Sequence, residues 1–159
     1  MERWVAEERR EVTAYLRATL TPDPAVIGPL MELNRRVVLA TVSSSALSRL
    51  AGCFEATGLA PLFPENQRFS AEDALPTPTN KPDPAIYTYA GARLGISGDQ
   101  GLAIEDSLPG AQSAISAGYR TIGNVLFVPP LERPARIEAL QDAGVVTVIS
   151  GWRELANLL

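Results

Sequence analysis

The sequence predicts an α/β protein built on a doubly wound parallel sheet, in the manner of a Rossmann-like fold. From Val37 onward, short apolar runs alternate with helical segments, an order that favours parallel strands joined by crossover helices. The runs are apolar throughout, which is typical of strands covered by helices on both faces. With 159 residues, the chain is long enough to form one such domain with its own core.

The N-terminal segment, residues 1–20, is predicted to be an amphipathic helix with Glu and Arg on its polar side. Its apolar stripe consists of Trp4, Val5, Val12, Tyr15, Leu16 and Leu20. Residues 21–24 contain two prolines and end this helix. A second short helix is expected over residues 27–34, with Pro29 in its first turn, where a missing N–H is harmless.

The first strand is expected over residues 37–42, a Val-Val-Leu-Ala-Thr-Val run that should be buried on both faces. Serines 43–45 then serve as the cap of a helix over residues 46–57, which ends at Gly58. Thr41 and Ser43 therefore lie near the carboxyl end of a strand. Their hydroxyls could hold a phosphate oxygen, although capping and turn formation explain the same residues equally well.

Residues 60–80 are rich in proline and loop-like, with a short strand over residues 67–69. Lys81-Pro82-Asp83-Pro84 follows and opens a helix that runs to Leu94, with Asp83 as its cap and Pro84 at its first position. Lys81 thus precedes a helix start in rigid backbone. A lone loop lysine is usually solvated, but this position suits a phosphate group, which favours helix N-termini and cations.

A pair of acidic residues, Glu105 and Asp106, lies between a predicted strand and a predicted helix. Residues 102–104 form a buried strand, Glu105 and Asp106 follow at once, and a helix then runs from Ser107 to Gly118. In open α/β sheets, ligands bind at this carboxyl edge, and two carboxylates there suit Mg²⁺. The Asp106-Ser107 pair would also serve as a helix N-cap, so the residues alone leave both interpretations open.

The rest of the chain continues the alternation of strands and helices. The predicted elements are a strand over residues 120–125, a helix over 132–143, a strand over 145–149 and a terminal helix over 151–159. Gly144 is expected to end the first of these helices. The sequence has no internal repeat and no low-complexity tract.

Composition excludes several classes of function. A net charge of −4 provides no basic footprint for nucleic acid or for an anionic membrane surface, and no apolar run is long enough to span a bilayer. Histidine is absent, which excludes a Ser-His-Asp triad and His-rich zinc sites. The single cysteine, Cys53, excludes an intrachain disulfide and favours a cytoplasmic location.

Three motifs occur in a familiar order: a hydroxyl after a strand (Leu-Ala-Thr-Val-Ser), a lysine before a helix (Asn-Lys-Pro-Asp-Pro) and the Glu-Asp pair. Together they resemble the haloacid dehalogenase superfamily, in its phosphatase and β-phosphoglucomutase-like branch. The resemblance implies that Thr41, assisted by Ser43, binds the transferring phosphoryl group and that Lys81 offsets its charge. It also implies that Asp106 and Glu105 bind Mg²⁺, and that the substrate is a small phosphorylated metabolite.

The resemblance further implies two parts: residues 1–21 as the remnant of a helical cap, and residues 22–159 as the α/β core. Family members begin with a central strand ending in Asp-x-Asp, whose first Asp is the nucleophile. This sequence contains no Asp-x-Asp. We therefore expect a truncated hydrolase that is inactive alone, with exposed apolar surface that allows a homodimer. The alternatives are a non-catalytic phosphate- and magnesium-binding protein, a sugar phosphomutase, and a purely structural α/β domain.

Overall fold

The computed structural model describes residues 2–159, except for the side chains of residues 2–6, 8 and 9. Seven α-helices and five short strands alternate in this part of the chain, with two single-turn 3-10 helices at Glu65–Gln67 and Gly98–Gln100. The helices are α1 (Glu2–Thr19), α2 (Pro24–Leu33), α3 (Leu47–Thr57), α4 (Ala85–Leu94), α5 (Leu108–Ser116), α6 (Arg133–Asp142) and α7 (Trp152–Leu158). The strands are β1 (Thr41–Ser43), β2 (Arg68–Ser70), β3 (Leu102–Glu105), β4 (Arg120–Asn124) and β5 (Thr147–Ile149).

The strands form two parallel sheets, one of β1 and β2 and one in the order β3-β4-β5. Val42 pairs with Phe69 in the first sheet, and Ile104 pairs with Ile122 in the second. Among the described residues, no backbone ladder joins β1 to β3. Within the part of the chain that the structure describes, the edges of β1 and β3 that face away from β2 and β4 therefore have no neighbouring strand.

The two sheets are parts of one layer, because they share apolar neighbours on both faces. On one face, Leu39 (just before β1) and Ile104 of β3 pack against the same cluster, which includes buried residues of α2 and α7. On the other face, Val42 and Ala103 pack together with buried residues of α4. The interruption between β1 and β3 is thus a slot within a single α/β sandwich.

Helices cover both faces of this layer. α2 and α7 pack against each other on one face, where Arg36 also donates a hydrogen bond to the Ala156 carbonyl (2.9 Å). α5 and α6 pack on the other face around the fully buried Ala111 and Leu140. The α/β fold with parallel strands and helices on both sides is therefore confirmed. None of the described helices has the length and apolar character needed to cross a membrane.

The prediction for the first strand was wrong in extent and in burial. β1 covers only Thr41–Ser43, and the preceding Val37 and Val38 have 42% and 70% of their surface exposed. A strand is buried on both faces and paired on both edges only where neighbouring strands extend the sheet. Among the described residues, β1 has a partner on one side alone, and Val37 and Val38 are left in solvent while Leu39 packs against the core.

Two predicted helix starts also differ. The serines at 43–45 do not cap α3: its N-cap is Ala46, and the Asp73 carboxylate accepts the hydrogen bond from the Leu47 N–H (2.6 Å). Asp73 takes the place of the serines because it follows β2, and β2 lies beside β1, the strand that leads into α3. α2 begins earlier than expected, at Pro24, so that Pro29 lies inside the helix and not in its first turn.

α1 is confirmed as a helix, but its expected apolar stripe is largely unburied. Val12 and Tyr15 are 40% and 68% exposed, and the side chains of Trp4 and Val5 lie outside the described residues. The helix packs against α3, where the Arg17 side chain lies on Gly52 so closely that an added Cβ would be 2.9 Å from it. Its contact with the rest of the chain therefore depends on a polar side chain as well as on apolar ones.

Candidate functional site

Lys81 lies in a loop whose backbone is fixed immediately after this residue. The Lys81–Pro82 peptide bond is cis. The Asp83 carboxylate accepts a hydrogen bond from the Ala85 N–H (2.8 Å), and the buried Ser113 hydroxyl of α5 donates to the Asp83 carbonyl (2.7 Å). The prediction of Asp83 as the N-cap and Pro84 as the first helical residue was wrong by one position, because Pro84 is the N-cap and α4 begins at Ala85. Asp83 nevertheless accepts the first N–H of the helix, and Ser113 of α5 holds the same loop.

The Lys81 ammonium bridges the slot between the two sheets. It donates to the carbonyl oxygen of Val42 in β1 (3.1 Å) and forms an ion pair with Oε1 of Glu105, the last residue of β3. The side chains of Lys81 and Glu105 are only 13% and 7% exposed. The carboxyl ends of β1 and β3 therefore meet at one buried cation, as expected for strands that run in the same direction.

Tyr87 of α4 is a third member of this cluster. Its hydroxyl donates to Glu105 Oε1 (2.5 Å), and its ring centroid lies 5.2 Å from the Lys81 nitrogen. Burial is the main reason that the pKa of Tyr87 is raised well above its ordinary value, and the negative charge and hydrogen bond of Glu105 act in the same direction. The phenol consequently stays protonated and acts as a donor to the carboxylate.

The raised pKa of Tyr87 predicts a loss of stability at alkaline pH. An unfolded tyrosine ionises near pH 10, so the contribution of the neutral phenol is fully present below about pH 10 and decreases above it. We expect ionisation of Tyr87 to coincide with unfolding, followed by tyrosinate absorbance and circular dichroism in one titration. Tyr87→Phe should diminish this late absorbance step, to which Tyr119 also contributes because burial raises its pKa. Ionisation of all four tyrosines in a folded chain would contradict the assignment.

Asp106 differs from its neighbour because its side chain is exposed. The N-cap of α5 is Ser107, whose hydroxyl accepts the Gly110 N–H (3.2 Å), so Asp106 is not engaged in capping. Arg136 of α6 donates to the Asp106 carbonyl (2.5 Å) and fixes its backbone. Within the part of the chain that the structure describes, the Asp106 carboxylate has no hydrogen bond or ion pair and is available to a ligand.

Gly110 provides the space that the Glu105 carboxylate occupies. A Cβ atom at this position would lie 1.9 Å from Glu105 Oε2 and 2.9 Å from the Ser107 hydroxyl. No side chain fits there unless Glu105 moves. The small residue that opens α5 therefore belongs to the site, because it allows the carboxylate to lie against the first turn of the helix.

The two hydroxyls predicted for phosphate binding belong to the first and last residues of β1, Thr41 and Ser43. Thr41 and Ser43 flank Val42, whose carbonyl binds Lys81, and both are half-buried. The Ser43 oxygen accepts the Ser45 N–H (3.0 Å), which leaves its own proton available to donate. For Thr41, no hydroxyl partner is found among the described residues. The structure brings Lys81 and Glu105 into contact, with Thr41 and Ser43 adjacent to the Lys81 contact on β1.

The carboxylate pair has the chemistry of a Mg²⁺ site but only part of its coordination sphere. Glu105 Oε1 already accepts from Lys81 and Tyr87, which leaves Oε2 and the Asp106 carboxylate. Among the described residues, no group of three metal-binding side chains occurs. Mg²⁺ is usually held by one or two carboxylates with water and substrate phosphate, so these two residues fit such a site in part.

Two residues of this site were not found by sequence reasoning. Tyr87 follows Lys81 by six positions within the predicted helix, and its contact with Glu105 depends on how that helix packs against β3. Arg136 lies 30 residues from Asp106 on another helix. No local pattern connects these two positions, because the contact depends on how α6 packs beside α5.

The fold and cluster define an α/β protein with a lysine–carboxylate site at the carboxyl ends of parallel strands. A model of the haloacid dehalogenase-like hydrolases matches residues 2–118, and the chain belongs to this family. It is 31% identical over 123 residues to a haloacid dehalogenase-like hydrolase domain-containing protein of Arabidopsis thaliana. That match covers 77% of this chain but only 38% of the plant protein.

Two solved structures are similar over nearly the whole chain. One is a conserved haloacid dehalogenase-like protein of unknown function from Agrobacterium tumefaciens, with 26% identity, a TM-score of 0.77 and coverage of 99% of this chain and 68% of that one. The other is a family hydrolase from Deinococcus radiodurans with bound phosphate and sodium, with 26% identity and a TM-score of 0.76. This second match covers 92% of our chain and 64% of the Deinococcus chain.

Proposed function

We propose that this chain carries the phosphate- and magnesium-binding part of a phosphatase that acts on a small phosphorylated metabolite. The observation that carries the proposal is the Lys81 ammonium, held between the Val42 carbonyl and Glu105 at the carboxyl ends of two parallel strands, with Asp106 next in the chain. Phosphate bound in the Deinococcus relative supports the same class of ligand.

In this proposal, Thr41 and Ser43 of β1 bind the phosphoryl group together with Lys81. The hydroxyls of Thr41 and Ser43 donate to its oxygens, and the Lys81 ammonium balances their negative charge. Because Lys81 is only 13% exposed, its charge is poorly screened by water and acts strongly on a bound anion. Catalysis of phosphoryl transfer depends largely on such positioning and charge compensation.

Asp106 and Glu105 would hold the metal. Mg²⁺, when bound there, neutralises charge on the phosphoryl oxygens. Asp106 would contribute its exposed carboxylate and Glu105 its Oε2 atom. The Arg136 contact with the Asp106 carbonyl keeps the backbone of this residue fixed while the side chain engages the ligand.

The attacking group is not found in this sequence, which contains no Asp-x-Asp. In covalent phosphoryl transfer, a carboxylate oxygen forms a bond to phosphorus, the bond to the leaving alcohol breaks, and water later hydrolyses the aspartyl-phosphate. We infer that a further strand bearing this aspartate fits the slot between β1 and β3. The 159 residues alone would then bind phosphate without turning it over.

The division into a cap remnant at residues 1–21 and a core at residues 22–159 is part of the same proposal. Between α1 and the start of α3 lies a cavity of about 520 Å³, lined by Arg10, Arg17 and Arg49 together with Glu72 and Asp73. Ala46, three residues after Ser43, also lines it. The charged ends of the arginine and acidic side chains, on a lining that is otherwise largely apolar, would favour a small charged substrate over a wholly apolar one.

A second candidate is a protein that binds phosphate and Mg²⁺ without catalysis. The absence of Asp-x-Asp from the sequence favours it directly. In that case the slot would be filled by something other than a catalytic strand, for example by a segment of a second copy. Binding is common to both candidates, whereas turnover distinguishes them.

The binding step is tested by calorimetric titration of inorganic phosphate into the chain with Mg²⁺ present. We expect Asp106→Asn to weaken binding by at least about tenfold, since even the outer partners of metal ligands contribute that much. The matched control is Asp142→Asn, which changes an exposed aspartate on α6. Equal phosphate affinity in all three proteins would contradict the proposed site.

A further inference from the structure

Glu105 Oε1 receives two donors of different kinds from one helix and the loop before it. Lys81 contributes an ammonium, and Tyr87 contributes a hydroxyl at 2.5 Å. Both donors bind the same carboxylate oxygen, Oε1. The carboxylate is therefore held in a single orientation, with Oε2 turned toward Gly110.

Tyr87 is itself fixed from several directions. It is 6% exposed, its ring lies 5.4 Å from that of Tyr119, and the Tyr119 hydroxyl donates to its carbonyl (3.3 Å). The ring also lies 5.2 Å from the Lys81 nitrogen, within the range at which an aromatic face attracts a cation. One side chain thus contacts both partners of the ion pair.

We propose that Tyr87 is a positioning residue that fixes Glu105 so that the Lys81 ammonium is held at the carboxyl end of β1. Without the Tyr87 hydroxyl, the Glu105 carboxylate would be free to rotate. Lys81 would then no longer have an acceptor oxygen held in one position. The link from Tyr87 to phosphate binding rests on the proposed function, whereas the effect on Lys81 does not.

Lys81 is the only lysine of the chain, which makes its amine an unambiguous chemical probe. We would measure the rate at which an amine-acylating reagent modifies Lys81, by mass spectrometry of the peptide that contains it. Tyr87→Phe should raise this rate roughly fivefold, as expected for the loss of one buried hydrogen bond. The matched control is Tyr89→Phe on the same helix, whose ring packs against Phe69 and should leave the rate unchanged.

Phosphate affinity is measured on the same variants in the presence of Mg²⁺. We expect Tyr87→Phe to bind about tenfold more weakly and Tyr89→Phe to bind as the unaltered chain does. If acylation of Lys81 rises but the unaltered chain binds no phosphate, the positioning role stands and the proposed function fails. If acylation is the same in both variants and in the unaltered chain, the inference is overturned.

Tyr119→Phe provides an independent test should the first variant not fold. It removes the hydroxyl that supports the Tyr87 backbone and leaves the Glu105 hydrogen bond in place. Acylation of Lys81 should then rise roughly twofold, less than with direct loss of the donor. An unchanged rate in this variant would count against the positioning role in the same way.

Discussion

Lys81→Met should destabilise the chain by about 3 kcal/mol, because removal of one partner of a buried ion pair leaves the other charge uncompensated. Glu105 is only 7% exposed and would keep a single donor, the Tyr87 hydroxyl. Methionine preserves most of the volume and apolar stem of lysine. The loss is measured as the shift of the urea unfolding midpoint at constant slope.

The double variant Lys81→Met/Glu105→Gln separates charge from packing. A neutral amide still accepts the Tyr87 hydrogen bond, so we expect stability to return to within about 1 kcal/mol of the unaltered chain. Arg153→Met is the control, since its ion pair with Glu32 is 58% and 47% exposed and should contribute less than about 1 kcal/mol. A double variant as unstable as Lys81→Met alone would contradict the role assigned to Glu105.

Gly110→Ala should have the second large effect, because the added methyl group would overlap the Glu105 carboxylate. The separation of 1.9 Å from Oε2 forces Glu105 or the first turn of α5 to move. Overpacking of this kind typically costs about 1–3 kcal/mol, and here it would also disturb the contact with Lys81. We expect a lower unfolding midpoint together with faster acylation of Lys81.

Gly28→Ala is the matched control for this substitution. Gly28 is an exposed helical glycine of α2, and an added Cβ there meets nothing within 4 Å. Alanine should raise stability by about 0.5–1 kcal/mol through its higher helix propensity. If Gly110→Ala were also stabilising, the close packing of Glu105 against α5 would be wrong.

Features that depend on neighbouring residues in the chain were predictable from the sequence. Gly58 and Gly118 end α3 and α5 with φ values of 72° and 91°, which glycine adopts without strain. Lys81 was correctly expected before the start of α4, because the prolines and Asp83 encode that start locally. The alternation of strands and helices was sufficient to predict the α/β class.

Burial was harder to predict because it depends on what lies beside a strand. The run at residues 37–42 has the composition of a central strand, yet Val38 is 70% exposed. Its apolar composition is that of a strand with a neighbouring strand along each edge. Within the described residues that environment is incomplete, and a sequence pattern cannot report which partner is present.

The residues of the candidate site were likewise predictable where the local sequence encodes them and not where helix packing does. The three motifs predicted which residue types gather at the sheet edge, and Lys81 and Glu105 are indeed in contact across 24 positions of sequence. Tyr87 and Arg136 were missed because their roles arise from helix packing and not from spacing. The contact is observed, but the binding roles of all five predicted residues (Thr41, Ser43, Lys81, Glu105 and Asp106) stay predictions until a ligand is bound.

The most direct test of the central claim is hydrolysis of an aryl phosphate with Mg²⁺, measured on the 159-residue chain with and without an added peptide. The peptide carries an apolar strand ending in Asp-x-Asp, and its Asn-x-Asn version is the control. We predict no turnover from the chain alone and turnover with the aspartate peptide that is lost in Lys81→Met. Turnover by the chain alone, unaffected by this substitution, would contradict the account.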